Sequence, residues 1–345
     1  LKLAILFGGA SFEHEISIVS AVTMKEKLRR FDLTFLFCDQ DHRFYLIEPA
    51  AMMAKTFASG AYKKMPELQL ELGGFVRSKL FGSERYGMPV LNLIHGGDGE
   101  DGTVASLLDF YKIPYIGPRP AASMLSFDKR YTKWLAASAG VKTVDYEVLC
   151  SGAPRELSTP MPFIVKPARL GSSIGVSIVR EASQLDYALD VAFEFDDCVV
   201  IEPFIEGVKE YNLAGCRIDG EIRFSIVEEP QKSEFLDFEK KYLDFSRTGA
   251  VSEADLPEAD VERLKAAFEA IYTDLFEGAL IRCDFFMVDG EVLLNEINPI
   301  PGSMANYLFA DFEQTVNDLL RSLPSKKMPR VDYRYIHSIN AAKGK

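Results

Sequence analysis

An apolar run, Leu3-Ala4-Ile5-Leu6-Phe7, ends on Gly8-Gly9 and is followed by Ile16, Val19 and Val22 at helical spacing. The same order recurs downstream as Val90 to Ile94, then His95-Gly96-Gly97-Asp98-Gly99, then Leu107, Leu108 and Tyr111. Strand, glycine loop and helix, twice over, predict a parallel α/β sheet that ends at the Gly117-Pro118-Arg119-Pro120 punctuation. In such sheets ligands gather at the carboxyl ends of the strands, where both glycine loops fall. The first loop does not read GxGxxG, and Glu13 and Glu15 follow it. A carboxylate there repels a phosphate and suits an ammonium group, although acids also stand at helix starts to complement the dipole. The pattern argues against a dinucleotide-binding first domain.

The chain has 345 residues, room for two or three domains at roughly 150 residues each. A second unit over 119–205 opens with a helix carrying Lys129, Lys133 and Trp134. It runs through a strand over 162–167 and turns at Gly171-Ser172-Ser173-Ile174-Gly175 into a strand over 176–179. A third unit from 206 carries expected strands over 211–216, 221–227, 279–287 and 291–297, a helix over 259–275, and a frayed polar end from 336. With 39 Lys and Arg against 51 Asp and Glu, the net charge is −12. The basic excess of a nucleic-acid binder is missing, so any phosphate must be held by a local cluster of lysines and amides. No stretch approaches the ~18 apolar residues of a membrane span, and a cytoplasmic protein is expected. Cys38, Cys150, Cys198, Cys216 and Cys283 show no CxxC spacing and are expected as reduced thiols.

Three segments carry chemistry. The Gly171–Gly175 loop joins strand to strand with Lys129 and Lys166 upstream, which suits phosphate cradling, although such a loop alone is also a plain hairpin tip. Arg282 and Asp284 share one strand face, and Glu296 and Asn298 share a face of the next strand. A two-residue Asp289-Gly290 turn sets Asp284 opposite Asn295 and parts the two faces. A three-residue loop with Gly290 in a bulge sets Asp284 opposite Leu294 and brings Asp284, Glu296 and Asn298 together. Converged, these oxygens suit Mg²⁺ shared with nucleotide phosphates. The segment 228–247 mixes acids, lysines and aromatics without clear periodicity and is expected as a lid, with Lys241 as the charge it delivers.

Taken in order, LFGGASFEHE at 6–15, HGGDGEDGT at 95–103, IVKPARLGSSIG at 164–175, Lys240-Lys241-Tyr242 and the stretch from Arg282 to Gly302 resemble the ATP-grasp superfamily. Within it, the chain resembles the D-alanine–D-alanine ligases over nearly its whole length. The resemblance implies an α/β fold with an N-terminal parallel α/β domain over 1–118. Two α+β domains, 119–205 and 206–345, would then sandwich ATP. It implies ATP-dependent ligation of two D-alanines through D-alanyl phosphate for peptidoglycan precursors, by a cytoplasmic homodimer that binds neither nucleic acid nor membrane. Two Mg²⁺ ions, replaceable by Mn²⁺, would sit at Asp284, Glu296 and Asn298.

By the same resemblance Lys129 and Lys166 contact the ATP phosphates, with Ser172 and Ser173 in the phosphate loop, and Glu202 and Glu210 hold adenine and ribose. Glu13 receives the first substrate's ammonium with His95 nearby, while Arg282 and the backbone of Gly302 stabilise the oxyanion. Lys241 reaches the γ-phosphate, and Ser172 and Tyr242 hydrogen-bond with Glu13 to hold the lid shut. The lid lacks histidine, which implies an amine acceptor rather than D-lactate. Pro203 stands where many relatives carry lysine beside the adenine, and Tyr307 where a serine often binds the second substrate's carboxylate. The alternative, another ATP-grasp carboxylate–amine ligase, would keep the phosphate and metal residues but change those around Glu13 and His95.

Overall fold

The computed structural model describes residues 1–230, 251–325 and 329–343. The first apolar run lies within the strand Lys2–Gly8, buried at every position after Lys2 because it runs through the middle of a sheet. It pairs in parallel with Asp32–Cys38 on one side and Val90–Asn92 on the other, and Val90–Asn92 pairs in parallel with Tyr115–Ile116. Beyond Asp32–Cys38 the sheet continues antiparallel through Phe44–Ile47, Glu67–Glu71, Gly74–Ser78 and Ser83–Tyr86, making eight strands. The parallel expectation therefore holds for the strands that carry the glycine loops, and the sheet as a whole is mixed. Short connections such as Leu72-Gly73 dictate this, since two residues can reverse a chain into a hairpin but cannot make a parallel crossover.

The helix His14–Lys27 lies over this sheet and buries two serines along with Ile16, Ile18, Ala21 and Met24. Ser17 accepts from the Gly8 amide at 2.8 Å and donates to the Leu93 carbonyl at 2.5 Å, so the helix is tied to both glycine-loop strands. Buried hydroxyls are tolerated where each finds a partner.

A second sheet, in the order Ser177–Val179, Phe163–Pro167, Cys198–Pro203, Glu147–Cys150, is antiparallel throughout. It packs against the helix Leu185–Phe193 around its own core, including Phe163, Val165, Leu189 and Val199. Cys150 and Cys198 form a disulfide here, which corrects the expectation of reduced thiols; Cys38, Cys216 and Cys283 are free and buried. The cause is register. The two cysteines are direct antiparallel partners with Cα atoms 4.1 Å apart, a closeness that a sequence separation of 48 does not reveal.

The third sheet, Glu221–Glu228, Lys209–Ile218, Leu280–Val288 and Glu291–Asn298, is also antiparallel. The helix Glu258–Tyr272 packs on it through Leu264, Phe268 and Ile271. The helices Pro120–Phe127 and Lys129–Ser138 contribute Ala122 and Ala136 to the same core. Another core joins the two ends of the chain: Leu3, Ile5 and Phe7 pack with Ile300, Met304, Leu308 and Leu319. The C-terminal stretch, expected to fray, is helical over Arg334–Lys343. Among the described residues no helix is long and apolar enough to cross a membrane.

Candidate active site

The hairpin from Leu280–Val288 to Glu291–Asn298 follows neither expected register in full. Its turn has two residues, with Val288 opposite Glu291 and left-handed Asp289 and Gly290 at φ 49° and 79°. A bulge then intervenes: Phe285 faces Leu294, but Asp284 faces Glu296, so Asn295 is the extra residue. One inserted residue moves every later side chain to the other face. The bulge thus produces the convergence that was expected from a longer turn.

Arg282 donates through Nε and Nη2 to both Asp284 oxygens, at 2.6 and 2.8 Å, and Asn298 Nδ2 donates to Asp284 Oδ2 at 3.0 Å. Burial pushes the Asp284 carboxyl up to about 7; Arg282 opposes this, and nearby Glu296 and Glu210 add to it. Among the described residues no three His, Cys, Asp or Glu side chains gather as a metal-binding group. The candidate set is two carboxylates and an amide, hard oxygen donors with too few ligands to close a site. That suits Mg²⁺, which commonly takes one or two carboxylates and completes its shell with water and substrate phosphates. The mutual repulsion of Asp284 and Glu296 is what a divalent cation would relieve, so the residues fit the group.

Lys129, Lys166, Ser172, Ser173, Glu202 and Glu210 line one cavity. Lys166 donates to Glu202 Oε2 at 2.5 Å and to the bulged Asn295 at 3.3 Å, while Lys129 Nζ donates to the Leu170 carbonyl at 2.5 Å. Burial lowers the Lys129 pKa. Glu202 is bracketed by Lys166 and Lys133; burial would raise its pKa, but the two ammonium groups outweigh it and hold the carboxyl at about 2. Lys133 was not among the expected site residues. It sits one helical turn after Lys129, so the i, i+4 spacing was the available signal.

Glu13, His95, Ser172, Arg282 and Gly302 line an adjoining cavity. Ser172 and Ser173 hold left-handed conformations at φ 56° and 59°, and Ser172 Oγ donates to Glu13 Oε1 at 2.6 Å. Glu13 is buried, which raises its pKa, with Glu100 adding to the rise and Ser172, His95 and Lys129 opposing it. His95 Nε2 lies 3.0 Å from Ser20 Oγ and its Nδ1 lies 3.5 Å from Glu100. Burial brings His95 down to about 4 and pushes Glu100 up to about 8. Glu100 was also missed, although it stands inside the HGGDGEDGT stretch.

Gly302 leads into Ser303, Met304 and Ala305, all left-handed at φ 47°, 54° and 48°, and the Ser303 amide donates to Ser20 Oγ at 3.0 Å. Arg282 Nη1 donates to the Tyr307 hydroxyl at 3.4 Å, so the residue that departs from the expected serine reaches the same cavity. Glu15 does not line it. Lys241 and Tyr242 lie outside the described residues, as does most of the expected lid.

Residues 2–118 match the family model described as D-ala D-ala ligase N-terminus, and residues 135–318 that described as D-ala D-ala ligase C-terminus. The chain is 63% identical over 345 residues to the D-alanine--D-alanine ligase of Sulfurimonas denitrificans, with 100% of both chains covered. It is 57% identical over 346 residues to that of Wolinella succinogenes, again with 100% of both covered. The solved D-alanine-D-alanine ligase from Helicobacter pylori has 49% identity and a TM-score of 0.85, covering 95% of this chain and 100% of that one. With relatives matched from end to end, the chain belongs to the D-alanine–D-alanine ligase family, ATP-grasp enzymes that join two D-alanines with ATP in making the cell-wall precursor.

Proposed function

We propose that ligation by this chain passes through D-alanyl phosphate, formed where the two cavities meet. The observation that carries the reading is that the cavities share Gly171, Ser172, Glu210 and Glu296. One is lined by lysines suited to phosphates; the other offers a carboxylate and a guanidinium suited to an amino acid.

In this reading Lys129 and Lys166 hold the ATP phosphates, with Ser172 and Ser173, while Glu202 and Glu210 bind the base and ribose. Glu13, with His95 beside it, takes the ammonium of the first D-alanine. The carboxylate oxygen of that D-alanine attacks the γ-phosphorus, a P–O bond forms, and the bond to the departing ADP breaks. The second D-alanine's amine then attacks the acyl carbon, and phosphate leaves. Arg282 and the Gly302 amide stabilise the oxyanion, and Tyr307 takes the place of the usual serine at the acceptor carboxylate. Phosphoryl transfer depends mostly on positioning and charge neutralisation, which these residues provide. Mg²⁺ held by Asp284, Glu296 and Asn298, as two ions and replaceable by Mn²⁺, supplies neutralising charge to the phosphates when bound. Lys241 and Tyr242 act from the lid, by resemblance. The same resemblance supports a cytoplasmic homodimer and the division into 1–118, 119–205 and 206–345.

ATP labelled with heavy oxygen at the β,γ-bridge should scramble its label in the presence of D-alanine. Dipeptide formation without scrambling, under conditions where ADP is retained, would overturn the acyl-phosphate route. A panel of D- and L-amino acids should release phosphate best with D-alanine.

A further inference from the structure

One polar row crosses the third sheet. Glu228, Asn212, Asp284 and Glu296 are successive direct partners on its four strands. The Asp284–Glu296 end is accounted for above; the Asn212–Glu228 end is not. Both residues are buried, Asn212 to 6% exposure and Glu228 to 2%, and both line the amino-acid cavity with Arg282 and Tyr307.

Asn212 Nδ2 donates to Glu228 Oε2 at 3.2 Å. Glu228 Oε2 is the acceptor of that bond, so the amide presents its Nδ2 to the carboxyl group. Asn212 Oδ1 is consequently turned away, and it has no hydrogen-bond partner among the described residues. A buried acceptor left unpaired is uncommon and calls for a ligand that brings an N–H or O–H. The transferred phosphoryl group and the substrate carboxylates offer mainly oxygen acceptors. The base of ATP belongs to the other cavity, and the first D-alanine's ammonium has Glu13. The amino group of the acceptor is what remains.

We propose that Asn212 Oδ1 and Glu228 receive the amino group of the acceptor D-alanine, and that Glu228 takes the proton this nitrogen must lose. The proposal rests on the reading of the reaction given above. The acceptor arrives as an ammonium with three N–H bonds. One proton passes to the Glu228 carboxylate and frees the lone pair, and the nitrogen attacks the acyl carbon as the C–N bond forms. The C–O bond to phosphate then breaks, and the second proton leaves with the phosphate. The third stays on the amide.

The test compares two acceptors, D-alanine and hydroxylamine. Hydroxylamine is uncharged at neutral pH and traps an acyl phosphate as a hydroxamate without first losing a proton. Glu228→Gln, which keeps the shape of the side chain, should lower kcat/KM for D-alanine as acceptor by on the order of a hundredfold. The ratio of hydroxamate to dipeptide formed should rise by a similar factor. Asn212→Leu should raise the acceptor KM by about tenfold, with a smaller change in kcat. Equal losses with both acceptors, an unchanged acceptor KM in Asn212→Leu, or a raised Mg²⁺ requirement in its place would overturn the assignment. If the wild type makes dipeptide but no hydroxamate, the acyl-phosphate reading fails instead, and the acceptor KM of Asn212→Leu still decides the subsite.

Discussion

Ser172 and Glu13, 159 positions apart, meet through a hydrogen bond of 2.6 Å that ties the Gly171–Gly175 loop to the first glycine turn. Hydrogen bonds to charged groups contribute about 1.5–3 kcal/mol, so Ser172→Ala should lower kcat/KM for the donor D-alanine by roughly ten- to a hundredfold. Steady-state kinetics at saturating ATP and acceptor checks this. A change under twofold would show that the bond does not matter to donor binding.

Gly171 tests the same carboxylate from the other side. A Cβ there would stand 2.9 Å from Glu13 Oε1 without requiring an unusual backbone angle. Gly171→Ala should therefore fold with a melting temperature near the wild type's and raise the donor KM, because it is Glu13 that must move. An unfolded variant would mean the loop has less room than its geometry indicates.

Lys133 and Lys166 share Glu202, so Lys133→Met leaves one cation for a buried carboxylate. Truncating one partner of a buried ion pair is strongly destabilising, and here the remaining lysine softens the loss. The expected result is an ATP KM raised about tenfold, with kcat at saturation nearly unchanged. Lys133→Arg should recover part of it. Equal losses in kcat and in kcat/KM would point away from nucleotide binding.

The Asp284–Glu296 pairing across the bulge is the basis for expecting magnesium dependence. A chelator should abolish turnover, and Glu296→Gln should raise the Mg²⁺ concentration for half-maximal rate by at least about tenfold. Titration of rate against metal at fixed ATP measures it; an unchanged midpoint would place the metal elsewhere.

His95 is held near 4 by burial, against an unperturbed value of about 6.5. Between these values the unfolded chain binds a proton that the native state refuses, so this residue makes stability fall as pH falls, by roughly 3 kcal/mol across the window. Glu100, pushed up to about 8, does the opposite, since its native carboxyl keeps a proton that the unfolded chain gives up. The wild type should thus show little net slope from this pair between about pH 5 and 6.5. In His95→Gln only the Glu100 contribution remains, and stability should fall by about 1.4 kcal/mol per unit rise in pH. Urea midpoints of both proteins decide it. A difference independent of pH would mean that His95 titrates normally.

What was legible in the chain is what side-chain periodicity and glycine turns encode. The Lys2–Gly8 strand, the shared face of Arg282 and Asp284, and the left-handed Gly290 follow from local pattern, whereas the length of the turn does not. The bulge at Asn295 does not, because nothing between Glu291 and Asn298 marks which residue the partner strand will skip. Ser83–Tyr86 lacks an apolar face and gave no strand signal, since an edge strand needs none. Lys133 and Glu202 meet from a helix and a sheet strand, and Cys150 and Cys198 meet only once two strands are in register. Those relationships belong to packing, which spacing along one chain does not report.

The core shared by Leu3, Ile5 and Phe7 with Ile300, Met304 and Leu319 has a consequence for synthesis. A ribosome releases the first strand and the helix His14–Lys27 that packs on it long before Ile300, Met304 and Leu319 exist, so this core stays incomplete until the chain is nearly made. Contacts spanning so much of the chain close late and slowly. Splitting the gene near residue 118 should accordingly yield two fragments that are insoluble apart, and production of both in one cell should recover a soluble pair.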